Sequence, residues 1–228
     1  MKNIIIILLL FAIQISAQSF VVEKVSGKVQ VIQGTSEEIW DVSEGQVLQG
    51  EDLLITNENS FVQLNSEGNR FILKSDAALG LNHIKQVSIN DLLLALAMEE
   101  IRNVPKEPAG NNTKNTAVYG TDESKKENEA TVNSNDLGYK MLNGAIQLAE
   151  SGYKNSSVIA AKETFRNHPE TKSLVKDRLY FVDILIDLGL FEEANAELYD
   201  IKKYDLNDDE RNDVDRRIEE IRQKLISK

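Results

Sequence analysis

The segment FVQLNSEGNRFIL, residues 61–73, contains two short alternating runs on either side of a polar loop. Val62 and Leu64 are two residues apart before the loop, and Phe71 and Leu73 are two residues apart after it. This is the side-chain period of a β-strand. The five polar residues between the runs include a glycine, which supplies the positive φ that hairpin turns require. The segment therefore predicts an antiparallel hairpin.

Further short runs extend this pattern from the hairpin across residues 18–104. Val29 and Val31 share a face of one such run, and comparable runs recur about every ten residues. Near the end of this region the period changes from that of a strand to that of a helix. A helical stripe is formed by Ile89, Leu92, Leu93, Leu96 and Ala97. We therefore expect an all-β sandwich or roll over residues 18–104, with a terminal helix over about 89–103 that packs on the sheet. Ser88 and Asp91 form its capping signature.

The rest of the chain divides into a polar segment and a helical region. Residues 105–135 hold only six apolar residues in 31, which predicts a disordered polar linker. Residues 136–228 carry apolar residues at i, i+3 and i+4 spacing in five successive stretches, two of them ended by Gly152 and Gly189. The chain is thus expected to be an α+β multidomain protein, with an all-β domain followed by an α-helical domain.

The first 17 residues have the composition of a secretory signal peptide. Lys2 provides the positive charge, Ile4 to Ile13 is an unbroken apolar run of ten residues, and Ala17 offers a small residue for cleavage. This run is half the roughly 20 residues that a membrane-spanning helix needs. We expect cleavage before Gln18 and a periplasmic or extracellular mature protein without a stable membrane span. The alternative is an uncleaved amino-terminal anchor.

The composition excludes several classes of partner and site. A net charge of −11 argues against nucleic acid, because phosphates require a basic binding face. The chain has no cysteine, which excludes disulfides, thiolate metal sites and a lipoprotein anchor. Its two histidines, His83 and His168, lie far apart in sequence. We therefore predict no metal site and no cofactor.

No catalytic motif is found in the sequence. It contains no nucleophile elbow, no zinc-protease helix motif and no phosphate-binding glycine loop. The acidic stretch that begins at Asp205 starts like a calcium loop, but Glu210 replaces the glycine and Arg216 replaces the glutamate that such a loop needs. These observations predict a protein that is not an enzyme and has no catalytic residues.

The order of residues in the β region resembles the FecR domain, a periplasmic module. The resemblance covers residues 20–85 and rests on five segments: VSGKVQV (25–31), EGQVLQGEDLLIT (44–56), SFVQL (60–64), EGNRFIL (67–73) and ALGL (78–81). It implies a β module in which Gly50, Gly68 and Asp52 form turns. Regulators of that family carry a cytoplasmic segment and a membrane helix before this domain. Here the domain follows a predicted signal peptide, so direct control of a sigma factor is not expected.

The helical region resembles tetratricopeptide repeats. Residues 188–194, LGLFEEA, match the turn between paired helices, and Gly152 with Pro169 marks an earlier copy. The resemblance implies two repeats and a capping helix, with the first helix of each pair lining a concave groove that binds a partner. It selects as groove residues Tyr139, Leu142, Ile146, Glu150, Lys176, Leu179, Asp183 and Ile186. The alternative is that the apolar members cover the capping helix or the helix over residues 89–101.

Two functions remain compatible with the sequence. The first is a non-enzymatic exported adaptor that contacts another envelope or secreted protein, in envelope sensing or assembly. The second is a binding module for cell-wall glycan or another polysaccharide, for which Trp40, Phe61 and Phe20 are the candidate platforms. The sequence leaves the partner and the oligomeric state open.

Overall fold

The computed structural model describes residues 18–36, 38–103 and 134–226. The chain divides into two compact units, one ending at Ile84 and the other beginning at Lys85. The predicted signal peptide lies outside the described residues. So does the predicted linker, apart from its last two residues, which begin a helix.

Two four-stranded antiparallel sheets make up the first unit. The strands are β1 (Ser19–Ser26), β2 (Val29–Ile32), β3 (Ile39–Asp41), β4 (Val47–Gln49), β5 (Leu53–Thr56), β6 (Phe61–Ser66), β7 (Asn69–Leu73) and β8 (Ala78–Gly80). One sheet has the order β4-β1-β6-β7 and the other has the order β3-β2-β5-β8. The prediction of an antiparallel β region ahead of the helices is confirmed.

The hairpin predicted over residues 61–73 is present as β6 and β7. Its turn is tighter than expected, because Asn65 pairs with Arg70 and the strands run on to a two-residue connection. Glu67 and Gly68 both have positive φ, at 53° and 84°, which is the geometry of a type I′ turn. The Asn65 side chain accepts a hydrogen bond from the Gly68 backbone nitrogen (3.0 Å), which closes the turn.

Asp52 has the turn-forming role that was predicted for it. It is buried, and its two carboxylate oxygens accept hydrogen bonds from the backbone nitrogens of Gly34 (3.1 Å) and Gln49 (2.8 Å). A buried carboxylate that is satisfied by backbone donors is a structural element. It therefore joins two connections of the β unit.

The second unit contains six α-helices within the described residues, and a short 3-10 helix (Pro169–Ser173) lies between the third and the fourth. They are α1 (Ile89–Asn103), α2 (Ser134–Glu150), α3 (Lys154–Asn167), α4 (Val175–Asp187), α5 (Phe191–Ile201) and α6 (Asp208–Ile226). Helix α2 packs on α3, α4 on α5, and α5 on α6. A single buried cluster runs from Leu92 in α1 to Ile221 in α6.

Helices α2 and α4 end in the same way. Gly152 and Gly189, 37 residues apart, have φ of +93° and +75°. In each case the next residue donates its backbone N–H five residues back, Tyr153 to Leu148 and Leu190 to Leu185, as in a Schellman motif. The next helix then begins at once. The predicted helix ends at these glycines are confirmed, and two helix–turn–helix pairs share one junction geometry.

Helix α1 belongs to a different unit from the one predicted. The predicted domain ending at residue 104 would include this helix, yet the division falls at Ile84, and Leu92 and Leu96 lie in the helical core. Ser88 caps the helix as predicted, accepting a hydrogen bond from the Asp91 backbone nitrogen (3.1 Å). Helical periodicity identifies the face that is buried but not the element against which it is buried. Leu92 and Leu96 belong to the helical core, and α1 packs on α3.

Candidate functional site

The apolar residues of the predicted groove belong mainly to the helical core. Leu142 is 1% exposed, and Leu179 and Ile186 are also buried in the same cluster. Ile146 is half-buried against it. A partner could reach the three buried side chains only if the core opened. This corrects their assignment as contact residues, and the reason is that α1 and α6 contribute side chains to the same cluster.

The polar and aromatic members of the predicted groove remain at the surface. Tyr139, Glu150, Lys176 and Asp183 are exposed. Asp183 is engaged by the last helix, since Arg217 donates to both of its carboxylate oxygens, at 2.7 and 2.8 Å. The hydrogen bond with Asp183 raises the pKa of Arg217 above its usual range. Helix α6 therefore holds one of the four α4 residues that were predicted to contact a partner.

A buried ionic network lies at the centre of the helical unit. Arg178 on α4 is 2% exposed, and it donates to Glu197 (2.7 Å) and to Asp200 (2.7 Å) on α5. Lys162 on α3 also pairs with Glu197. Burial alone would raise the pKa of Glu197, but the charges of Lys162 and Arg178 outweigh it and keep that pKa below its usual range. Every charge in the network has a partner, so we assign the network a structural role.

A second ionic group fixes the orientation of α1. Glu99 is buried and accepts hydrogen bonds from Arg102 on the same helix (2.9 Å) and from Arg166 on α3 (2.7 Å). Together with the buried leucines of α1, this pairing turns one side of the helix towards α3. The opposite side of α1 must then face away from the core.

That opposite side of α1 carries a row of exposed apolar residues. Leu94 is 61% exposed and Ile101 is 73% exposed, with Met98 and Ala97 between them. Their i, i+3, i+4 and i+7 spacing places the four on one face of the helix. We call these four residues, Leu94, Ala97, Met98 and Ile101, the α1 stripe. Contiguous apolar surface of this kind is characteristic of contact sites.

The sheet of the β4-β1-β6-β7 order has a polar cluster on its outer side. The register between β1 and β6 shifts between Val22 and Lys24, which makes Glu23 the extra residue of a β-bulge. Gln63 donates to one oxygen of the Glu23 carboxylate (2.5 Å) and Asn65 to the other (2.6 Å). The bulge thus directs the Glu23 carboxylate towards two amide donors, which hold it in place.

The same carboxylate is also ion-paired. Arg70 Nε lies 3.1 Å from it. Hydrogen bonds from Asn65 and then Gln63, followed by the charge of Arg70, lower the pKa of Glu23. The carboxylate is thus held by three partners, two amides and one guanidinium.

Exposed apolar side chains flank this cluster. Val21 pairs with Val47 across β1 and β4, and Ile72 pairs with Gln63 across β6 and β7, so all lie on the same side as the polar cluster. Val21, Val47 and Ile72 are each exposed. The outer sheet face comprises Glu23, Gln63, Asn65, Arg70, Val21, Val47 and Ile72. It combines rigid polar groups with apolar surface, and it is the candidate site.

The three aromatic residues proposed as sugar platforms occupy different surroundings. Phe20 is buried in the core of the β unit, which corrects its assignment as an exposed platform. Phe61 is half-buried, with the Lys24 ammonium 5.5 Å from the centre of its ring. Trp40, on the edge strand β3, is 53% exposed. Only Trp40 among the three presents a largely open ring.

Sequence reasoning did not find the outer sheet face or the α1 stripe. The spacing of Leu94, Met98 and Ile101 is a detectable helical signal, but it competes with the buried stripe of the same helix. Glu23 carries no sequence signal, because the bulge that aims it depends on strand register. A bulge arises from the pairing of two segments that are distant in sequence, and one segment alone does not reveal it.

The described residues contain no group of three or more histidine, cysteine, aspartate or glutamate side chains placed to hold a metal ion. None of the helices in that part of the chain is long and apolar enough to cross a membrane. No protein-family model matches the chain, and comparison with curated proteins and with solved structures gave no match.

Proposed function

We propose that this protein is a non-enzymatic exported adaptor that contacts another envelope or secreted protein through the outer sheet face of its β unit. The observation that carries the proposal is the composition of that face. Val21, Val47 and Ile72 are exposed apolar side chains beside a carboxylate that is held in one geometry by three partners. Protein interfaces combine apolar contact area with a few well-oriented polar groups.

The finer fold assignment forms part of the same proposal. The β unit is a FecR-like sandwich or roll, and the helical unit is a pair of tetratricopeptide-like repeats with α6 as its capping helix. The shared junction geometry at Gly152 and Gly189 supports the repeat assignment, because repeats of one kind reuse one turn. Export through a cleaved signal peptide, with a mature chain that begins at Gln18, completes the proposal.

Site-specific photo-crosslinking tests the proposed contact. A photoreactive phenylalanine analogue at Ile72 should capture one defined envelope or secreted protein in the native host, identified by mass spectrometry. Adding Val21→Asp to the same chain should remove that capture, because a charge in the apolar part of the face opposes its burial. The control places the analogue at Gln33, an exposed position in the connection between β2 and β3 of the other sheet, and should capture nothing at that yield.

Capture that survives Val21→Asp, or equal capture from Gln33, would contradict the proposed face. Circular dichroism of each variant shows whether the fold is retained. Mass spectrometry of the same preparations gives the amino terminus of the chain, which should be Gln18.

Glycan binding is a second candidate, favoured by the exposed ring of Trp40 alone. Pelleting with cell-wall glycan should leave the protein in the supernatant if the adaptor proposal holds. If the protein pellets and Trp40→Ala abolishes pelleting, the glycan function is correct. One exposed aromatic ring is a small platform, since stacking sites for carbohydrate use several contacts, and Phe20 cannot contribute.

A further inference from the structure

The α1 stripe faces away from the core of its own unit and is exposed. Leu94, Met98 and Ile101 lie on one side of α1, while Leu92 and Leu96 are buried on the other. A helix that is apolar on two opposite sides ordinarily packs on both sides. The core of the helical unit covers only one of them.

The charges beside the stripe indicate what covers it. Asp91 precedes Leu94 by one turn and Arg102 follows Ile101 directly, so an acidic and a basic group flank opposite ends of the stripe. At 100° per residue, both lie on the same flank of the helix. Both are exposed. Two antiparallel copies of such a helix, related by a two-fold axis, place the acid of each copy beside the base of the other.

We propose that the α1 stripe is the interface through which two copies of this chain pair, with their α1 helices antiparallel. With the two-fold axis between residues 97 and 98, Leu94 lies level with Ile101 of the second copy, and Ala97 with Met98. Asp91 then lies within two residues, about 3 Å along the axis, of Arg102 of the second copy. An arginine side chain spans that offset.

Other segments of the chain fit the stripe less well. Residues 105–135 hold six apolar residues in 31, scattered among polar ones, and they have no i, i+4, i+7 row to match it. The apolar run Ile4–Ile13 could cover the stripe only in a precursor that still carries it. The mature chain, beginning at Gln18, is therefore the form in which pairing is expected and in which it is tested.

Sedimentation of the mature chain over a range of concentrations measures the pairing. A four-residue stripe is a small interface, so we expect a monomer–dimer equilibrium with a dissociation constant on the order of micromolar. Leu94→Ser combined with Ile101→Ser should weaken the dimer at least tenfold. Leu225→Ser, at an exposed leucine of α6, is the matched control and should leave the equilibrium unchanged.

Charge exchange tests the antiparallel geometry. Asp91→Arg alone brings two arginines together at each end, and Arg102→Asp alone brings two aspartates together, so each variant should dimerise at least tenfold more weakly. An equimolar mixture of the two variants restores both opposite-charge pairs in a heterodimer and should recover the affinity. Thermal unfolding of each variant checks the fold, since Asp91 bonds with the capping Ser88 and Arg102 with Glu99.

A chain that stays monomeric up to about 100 µM overturns the proposal, because that concentration lies far above the expected dissociation constant of the dimer. A dimer that tolerates the two serine substitutions overturns the assignment to the stripe. A dimer that needs the stripe but is not restored by mixing the charge variants overturns the antiparallel arrangement.

Discussion

The two units of the chain place their main clusters of charged side chains differently. In the β unit the clustered charges, Glu23 and Arg70, lie on the outer sheet face, while the strands bury apolar side chains. In the helical unit the principal ionic network, centred on Arg178, lies inside, and an apolar stripe lies outside on α1. The comparison shows that burial alone does not identify function, because the helical unit buries charge for structure.

The cost of disturbing charge should therefore differ between the units. An exposed ion pair contributes little, since water and salt screen it. A buried charge that loses its partner keeps its desolvation penalty. The single tryptophan of the chain, Trp40, reports on the β unit by fluorescence, and the far-ultraviolet circular dichroism of helices reports on the other unit. Each unit can thus be followed within the intact protein.

The largest effect is expected at the buried network. Arg178→Met removes one of the two ionic partners that Glu197 has among the described residues, leaving Lys162, and should lower the free energy of unfolding of the helical unit by about 3–5 kcal/mol. Urea unfolding followed by circular dichroism measures the loss. Lys203→Met, which removes an exposed partner of Asp200 from the same network, is the control and should cost about 1 kcal/mol or less. Equal losses from the two variants would show that Arg178 is not the centre of the network.

The next effect distinguishes core from surface among the predicted groove residues. Leu142→Ala should destabilise the helical unit by about 2–5 kcal/mol, because it leaves a cavity in a packed cluster. Lys176→Ala, on the exposed side of α4, should change stability by less than about 0.5 kcal/mol. A Leu142→Ala protein of unchanged stability would restore that residue to the surface as a contact candidate.

Replacing a glycine of positive φ should cost a different amount of stability in each unit, because the surroundings of these glycines differ. Gly27 has φ of +73°, and a Cβ added there would lie 2.4 Å from Ser60 Oγ. Gly27→Ala should therefore cost the β unit about 2–4 kcal/mol, the sum of backbone strain and a steric clash. Gly189 has similar φ but open space around it, so Gly189→Ala should cost the helical unit only about 1–2 kcal/mol.

Tryptophan fluorescence follows the first of these variants and circular dichroism the second. If Gly27→Ala cost no more than Gly189→Ala, the Ser60 side chain would have moved aside. Its hydroxyl accepts a hydrogen bond from the Lys28 backbone nitrogen (2.8 Å), so such a movement would also break that bond.

Acidification should produce the smallest of these differences between the units, and only in the acid range. The folded-state pKa values of Glu197 and Asp200 are lowered, against the effect of burial, by their basic partners. A lowered folded pKa gives stability that is present above the unfolded value and is lost as the pH falls through the folded value. The helical unit should therefore weaken below about pH 4.5, with little change above it.

In the β unit the carboxylate of Glu23 has a lowered pKa but is solvent-exposed, so tryptophan fluorescence should show a weaker acid dependence. Unfolding in urea at successive pH values measures both signals. Glu197→Gln should flatten the dependence of the helical signal, and a dependence that this change leaves intact would move the titrating group elsewhere.

The sequence predicts those features that depend on local pattern. Alternation gives the hairpin at residues 61–73, a capping serine gives the start of α1, and Gly152 and Gly189 give helix ends. Each depends on neighbouring residues only. The position of α1 in the helical unit depends on which surface its leucines meet, and that choice is made between segments distant in the chain.

The candidate site depends on tertiary structure even more strongly. The groove residues were selected by resemblance, and Leu142, Leu179 and Ile186 prove to be core because neighbouring helices contribute to the same cluster. Glu23 is aimed by a shift of register between two strands. Arginine usually lies at the surface. Arg178 can be buried because Glu197 and Asp200 on another helix pair with it.

The common junction at Gly152 and Gly189 has a consequence for how this chain tolerates duplication. A copy of residues 153–189 inserted after Gly189 would begin just after one glycine turn and end at another. Each of these glycines would then still be followed by the start of a helix. Such an insertion adds one whole helix pair and keeps the direction of every later helix. The shared junction therefore marks 37 residues as the length of one helix pair together with its turn.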